Sequence, residues 1–211
     1  MQVTDRLQQL AVVPVVALDS ADQALPLAEA LEAGGLPCLE ITYRSEAATE
    51  SIRRVAATGR FLLGAGTVTR VQQVHEAADA GAQFIVSPGV SPLILDACRE
   101  RGLPALPGTC TPTDIMTART YGCDVVKFFP AEAYGGLATI KALAGPFPRL
   151  RFMPTGGISR DNLTAYLGFD RIVACGGSWM VKPAWIRNAN WSEVTRETAE
   201  TIALVRQVRE G

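Results

Sequence analysis

Lysine is nearly missing from this chain. Only Lys127, Lys141 and Lys182 occur among 211 residues, so arginine carries almost all of the positive charge. Histidine is rarer still, with His75 alone. There is little charge excess, the formal net charge being −1 at pH 7. That leaves no basic stripe for nucleic acid and no polybasic segment for a membrane surface. No apolar run approaches the ~18 residues of a membrane span. Met1–Arg6 lacks a basic start leading into an apolar stretch, so no secretory signal is expected. The five cysteines, Cys38, Cys98, Cys110, Cys123 and Cys175, are odd in number and show no CxxC spacing. This supports neither a disulfide framework nor a zinc knuckle. Cys38, Cys110 and Cys175 lie in or beside strand-like runs and read as small buried apolar residues in a reducing, cytoplasmic setting. No His/Asp/Glu set has metal-ligand spacing, so neither a metal nor another cofactor is expected. No G-x-S-x-G elbow points to a serine nucleophile. His75 lies in a helical segment and reads as a surface or packing residue.

What the chain does have is a repeating pattern. Eight short apolar runs alternate with helix-like segments: Val12–Leu18, Cys38–Tyr43, Phe61–Ala65, Phe84–Ser87, Leu103–Leu106, Val125–Phe128, Arg151–Pro154 and Ile172–Cys175. The runs are nearly continuous in hydrophobicity, as strands buried on both faces should be. Ala21–Ala33 and Arg70–Ala80 carry apolar residues at helical spacing, and several such segments end in glycine (Gly34-Gly35, Gly81, Gly102, Gly122, Gly168). Trp191–Arg209 reads as a long last helix with Trp191, Val194, Thr198, Ile202 and Val205 on its inner face. Eight βα units predict one domain over residues 1–211: an α/β fold, a single (β/α)8 TIM barrel. An open doubly wound sheet is the alternative. Gly-rich turns after many strands, and no GxGxxG after the first, favour the barrel.

Barrel chemistry sits at the C-terminal ends of the strands, which selects a short set of residues. Lys127 lies inside Val125-Val126-Lys127-Phe128-Phe129-Pro130. Desolvation there disfavours the ammonium, and a neutral amine can form a Schiff base with a ketone. A lysine that snorkels or pairs with a carboxylate is the plainer alternative. Glu40, among strand formers, is costly inside a barrel unless paired or catalytic. It reads either as the proton-transfer group of Schiff-base chemistry or as an ion pair with Arg44 or Lys127. Arg44 reads as a grip for a substrate carboxylate or as a surface arginine. Thr67 offers a hydroxyl beside Gly66, or a helix N-cap before Val71–Ala80. Gly156-Gly157 and Gly176-Gly177-Ser178 follow the last two strands, where barrels commonly bind phosphate, although a single glycine pair can be only a tight turn.

Glu40-Ile41-Thr42-Tyr43-Arg44, Gly64-Ala65-Gly66-Thr67-Val68, Ser87-Pro88-Gly89, Lys127-Phe128-Phe129-Pro130-Ala131-Glu132, Pro154-Thr155-Gly156-Gly157-Ile158 and Gly176-Gly177-Ser178-Trp179 together resemble the bacterial 2-keto-3-deoxy-6-phosphogluconate (KDPG) aldolases. That family includes the 4-hydroxy-2-oxoglutarate (KHG) aldolases. The resemblance spans Val13 to about Val181, and the ordered set is far more specific than any one motif. It implies class I aldol cleavage of a small phosphorylated 2-keto acid to pyruvate and glyceraldehyde 3-phosphate, with KHG as a further substrate. Lys127 then matches the Schiff-base residue and Glu40 the proton acceptor and donor. Arg44, Thr67, Pro88 and Phe129 match the pyruvate site. Gly156, Gly157, Gly176, Gly177 and Ser178 match the phosphate site, and Thr155 a position near the C4 hydroxyl. The family forms homotrimers, which the resemblance carries over. Tyr43 departs from a smaller apolar residue, Ser45 from Thr, and Pro107–Pro112 from the usual turn. Tyr43, next to Arg44, is expected to reshape the entrance. The rival readings are the phosphogalactonate aldolase, which differs at C4, a phosphosugar isomerase or epimerase on the same barrel, and a non-catalytic phosphate-binding module.

Overall fold

Runs of Val, Ile, Leu and Ala that lack polar alternation must be covered on both faces, and a sheet lined by helices satisfies this. The computed structural model describes residues 2–210 and has that form. Its strands are β1 (Val12–Val16), β2 (Cys38–Thr42), β3 (Leu62–Gly66), β4 (Phe84–Val86), β5 (Ala105–Leu106), β6 (Gly108–Thr109), β7 (Val125–Phe128), β8 (Arg151–Pro154) and β9 (Cys175–Gly177). Every residue of β2, β3 and β7 is buried. The helices are α1 (Val3–Leu10), α2 (Ala24–Ala33), α3 (Ala48–Ala56), α4 (Val71–Ala80), α5 (Pro92–Glu100), α6 (Pro112–Thr120), α7 (Gly136–Ala144), α8 (Arg160–Leu167), α9 (Pro183–Arg187) and α10 (Trp191–Glu210).

The strand pairs are parallel. One sheet runs β5-β4-β3-β2-β1-β9 and a second β6-β7-β8. Together they make an α/β fold whose parallel sheet curls into a half-barrel. The break between the sheets falls at Pro107, which has no N–H to donate to a ladder. Isolated parallel bridges, Phe152 to Ile172 and Thr155 to Gly176, link β8 toward β9.

Two of the expected runs shift. The eighth strand is Cys175–Gly177 rather than Ile172–Cys175, with Ile172 reduced to its bridge with Phe152. The strand therefore reaches into the glycines, whose backbones pair with Val13 and Pro14. The fifth run is ordered as a strand only at Ala105–Leu106 and resumes after Pro107 as β6. Ala21–Gln23 forms a 3₁₀ turn before α2.

Helix α10 closes the chain onto its beginning. Val194 and Thr198 are fully buried and Val205 is 6% exposed, while Trp191 and Ile202 are half-buried. The approach to α2 is close: a Cβ on Gly34 would lie 2.6 Å from Thr198 Cβ, and Thr195 Oγ1 donates to the Ala30 carbonyl. Cys38 and Cys175 are buried and Cys110 is half-buried. Burial pushes the Cys38 and Cys175 thiols up, as for inert packing residues. His75 is half-buried on α4. Among the described residues, no helix is long and apolar enough to cross a membrane.

Candidate active site

A cavity of about 270 Å³ opens at the C-terminal ends of the strands. Its wall contains Arg44, Thr67, Pro88, Lys127, Phe129, Thr155, Gly156, Gly157, Gly177 and Ser178, all singled out from the sequence. Val15 and Ile158 complete it. Sequence reasoning passed over Val15 because an aliphatic residue in a barrel strand looks like core, and over Ile158 because it only follows the glycine pair in the loop after β8. A larger concavity, about 810 Å³, lies at the opposite ends of the strands. It contains none of the lysine, arginine and glycine-loop residues of the smaller one.

Lys127 sits on β7, opposite Gly108 on β6 and Met153 on β8. It is 4% exposed, and its Nζ lies 4.5 Å from the centre of the Phe129 ring. Burial pulls its ammonium below the ordinary lysine range, Glu40 pushes the other way and Arg44 adds to the lowering. Among the described residues, no carboxylate comes within ion-pair distance of Lys127.

Glu40 is fully buried on β2, and neither carboxylate oxygen has a hydrogen-bond partner among the described residues. The alternative reading of Glu40, an ion pair with Arg44 or Lys127, is not seen among the described residues. Burial raises the Glu40 carboxyl above the usual carboxylate range, against smaller pulls from Lys127 and Arg44. The chain thus sets a lysine inclined to be neutral within electrostatic reach of a carboxyl inclined to hold its proton. Titratable groups shifted this way by burial at one cleft are typical of functional sites.

Arg44 is exposed to the cavity and held from below. Its Nε donates to Thr42 Oγ1 at 3.0 Å, and Thr42 Oγ1 donates to the Val16 carbonyl at 2.8 Å. Thr67 has φ +54°, a left-handed backbone that a β-branched residue rarely adopts. It is not a helix cap. Arg70 occupies the N-cap position of α4, and Gln73 Oε1 accepts from the Thr69 and Arg70 N–H groups. The strain at Thr67 instead presents its side chain to the cavity.

Gly156 and Gly157 have φ +99° and +80°, and α8 begins three residues later. Among the described residues, no backbone or side-chain acceptor takes the N–H groups of Gly156, Gly157 or Ile158. Successive unpaired N–H groups ahead of a helix form an anion cradle. Ser178 is exposed on the facing loop. Gly176 is not part of the wall: a Cβ there would lie 2.4 Å from Thr155 Oγ1, so its bareness makes room for that threonine. Gly177 similarly makes room for the Trp179 ring. Thr155 is 7% exposed, and its hydroxyl has no partner among the described residues.

Tyr43 is not on the cavity wall. It lies half-buried in the turn after β2, and its hydroxyl shares a 3.0 Å hydrogen bond with Thr49 Oγ1 in α3. Among the described residues, no three His, Cys, Asp or Glu side chains are grouped to hold a metal ion.

Residues 3–197 match the family described as KDPG and KHG aldolase. The chain belongs to that family. It is 47% identical to a 2-dehydro-3-deoxy-phosphogluconate aldolase of Haemophilus influenzae, covering 97% of each chain. It is 41% identical to a KHG/KDPG aldolase of Escherichia coli K12, covering 90% of each. A solved KDPG aldolase of Legionella pneumophila, with pyruvate captured at low pH as a covalent carbinolamine, superposes with a TM-score of 0.91. The identity there is 38%, over 95% of this chain and 98% of that one. Within the KDPG and KHG aldolase family, the phosphosugar isomerase and the non-catalytic binding module have no remaining support.

Proposed function

We propose that this chain is a class I aldolase that cleaves KDPG to pyruvate and glyceraldehyde 3-phosphate, and KHG to pyruvate and glyoxylate. The observation that carries the reading is Lys127. It is buried, without an ion partner among the described residues, depressed toward the free amine and open to a cavity. Relatives 40–47% identical and named for phosphogluconate support the gluconate epimer over the galactonate one.

The residues then divide the work. Arg44 holds the substrate carboxylate beside Thr67, Pro88 and Phe129. Lys127 Nζ attacks the C2 carbonyl, and the carbinolamine loses water to give an iminium. The C4 hydroxyl gives its proton to Glu40 as the C3–C4 bond breaks. The bonding pair flows into the iminium to make an enamine, and the aldehyde leaves. Proton return to C3 and hydrolysis of the iminium release pyruvate and restore the free amine. Glu40 suits this because burial raises its carboxyl above the usual carboxylate range, which makes the carboxylate a stronger base toward the C4 hydroxyl proton. The N–H groups of Gly156, Gly157 and Ile158, with Gly177 and Ser178, hold the phosphate. Thr155, whose hydroxyl is unpartnered, meets the C4 hydroxyl.

The same reading takes residues 1–211 as one domain. In it the two sheets close through Pro107 on one side and the Thr155–Gly176 bridge on the other, making a complete (β/α)8 barrel. It also includes a cytoplasmic homotrimer. Sodium borohydride with pyruvate tests the chemistry. One reduced pyruvyl adduct on Lys127 is expected. No adduct, or adducts only on Lys141 or Lys182, would reject the mechanism.

A further inference from the structure

Glu132 and Tyr166 are 34 residues apart and outside the cavity wall, yet they meet directly. Tyr166 is 2% exposed on α8, and its hydroxyl donates to Glu132 Oε1 in the turn after β7. A buried phenol needs an acceptor, but this turn is built around more than that need. A Cβ on Gly136 would lie 2.9 Å from Tyr166 Oη and 2.8 Å from Glu132 Oε1. A Cβ on Gly157 would lie 2.6 Å from Glu132 Cβ and Cγ. Two bare positions therefore clear the space in which the pair sits.

The backbone shows what the pair restrains. Ala131 N–H donates to the Thr155 carbonyl at 2.8 Å, and Glu132 N–H to the Gly156 carbonyl at 3.0 Å. Asn162 Nδ2 donates to the Gly157 carbonyl at 3.0 Å. In a trans peptide the C=O and the following N–H point in opposite directions. Tying down the Gly156 carbonyl therefore aims the Gly157 N–H, and tying down the Gly157 carbonyl aims the Ile158 N–H. Gly156 and Gly157 have no side chains to stiffen these two peptides. Glu132 is thus one of two anchors for the N–H cradle, and Tyr166 holds Glu132.

We infer that Tyr166 and Glu132 are positioning residues for the substrate phosphate, acting through the Gly156–Ile158 backbone without touching substrate. This rests on the aldolase reading above. It separates two substrates of that reaction: KDPG carries a phosphate and KHG does not. Losing the Tyr166–Glu132 hydrogen bond is expected to raise KM for KDPG by up to about tenfold. KM for KHG should stay within about twofold, because its distal carboxylate sits directly on C4, three bonds short of where KDPG carries its phosphorus, and so falls short of the cradle.

The experiment uses the full chain with Tyr166→Phe, Glu132→Ala and Glu132→Gln. Each variant is assayed on KDPG and KHG, for competitive inhibition by inorganic phosphate, and for borohydride trapping of pyruvate. Tyr166→Phe and Glu132→Ala should raise KM for KDPG and weaken phosphate inhibition by similar factors, with pyruvate trapping intact. Glu132→Gln keeps a carbonyl acceptor for the phenol and should recover most of the loss. Equal changes on KDPG and KHG would mark a merely structural role and overturn the inference, as would no change on either. A wild-type chain that traps no pyruvate would remove the aldolase reading itself. Normal trapping with no KDPG-selective loss would remove only the positioning role.

Discussion

Glu40 occupies the space that a side chain at residue 66 would fill. A Cβ on Gly66 would lie 2.0 Å from Glu40 Oε1 and 2.7 Å from its Cδ. Gly66 is opposite Thr42 in the β2–β3 register, so the two strands bring the bare residue against the carboxyl two positions earlier. Gly66→Ala would push the carboxyl off its position. Overpacking of this kind costs about 1–3 kcal/mol, and displacing a catalytic group by about 1 Å costs on the order of 100-fold in rate. The variant should stay folded with a modestly lowered melting temperature and lose most of its turnover. Retained turnover would show that the Glu40 position is not needed.

Glu40→Gln separates stability from chemistry. The folded-state value of Glu40 is raised above its ordinary 4.5. From about pH 4.5 up to that raised value, the native state keeps a proton that the unfolded chain has lost. The stabilisation is thus present at low pH and fades as pH rises through the folded value. Glutamine has no such proton, so the melting temperature of Glu40→Gln should fall less than that of wild type from pH 4.5 to pH 8. The variant should be as stable as wild type or more so at pH 8, while kcat drops by about 100-fold or more. Thermal melts across that range, beside steady-state rates, check both parts.

How far the sequence could be read follows from what each residue does. Lys127 and Glu40 were legible because a charge in an apolar strand needs an explanation, and Arg44 because the barrel rule placed it just past a strand end beside them. The glycine pairs were legible as backbone devices, but their division of labour was not. Gly156 and Gly157 expose N–H groups, whereas Gly176 clears space for Thr155, and Gly177 both lines the cavity and clears space for the Trp179 ring. That difference depends on which side chain lies opposite, which one chain segment cannot reveal. Tyr43 stands out in the sequence as the neighbour of Arg44, but it lies off the cavity wall with its hydroxyl on Thr49 in α3, a contact that adjacency in the chain does not reveal. The Tyr166–Glu132 contact joins elements 34 residues apart and left no local signal.

Thr67 tests whether backbone strain serves the site. At φ +54°, a β-branched side chain costs of order 1–2 kcal/mol. Glycine removes that strain, although it enlarges the entropy lost on folding by about 0.5–1 kcal/mol. Thr67→Gly should therefore leave stability within about 1 kcal/mol of wild type. It should also raise KM for both KDPG and KHG several-fold, because the lost hydroxyl serves the pyruvate end common to them. Chemical denaturation and paired kinetics give the answer. Unchanged KM values would exclude Thr67 from that end of the site.

Phe129 tunes Lys127 through its ring. An aromatic face 4.5 Å from Nζ favours the ammonium, by about 1 kcal/mol for a buried amine on a half-buried ring, between the exposed and fully desolvated cases. It therefore opposes the burial that pulls Lys127 down. Leucine keeps the apolar bulk and removes the quadrupole, so Phe129→Leu should lower the Lys127 value further. The free amine would persist to lower pH, and the acid limb of kcat/KM would move down by about half a pH unit or somewhat more. A shift upward would mean that the ring acts mainly by excluding water from the amine. Replacement by leucine would then have admitted solvent and restored the ammonium. The direction of that limb decides between the two effects, whatever happens to the absolute rate.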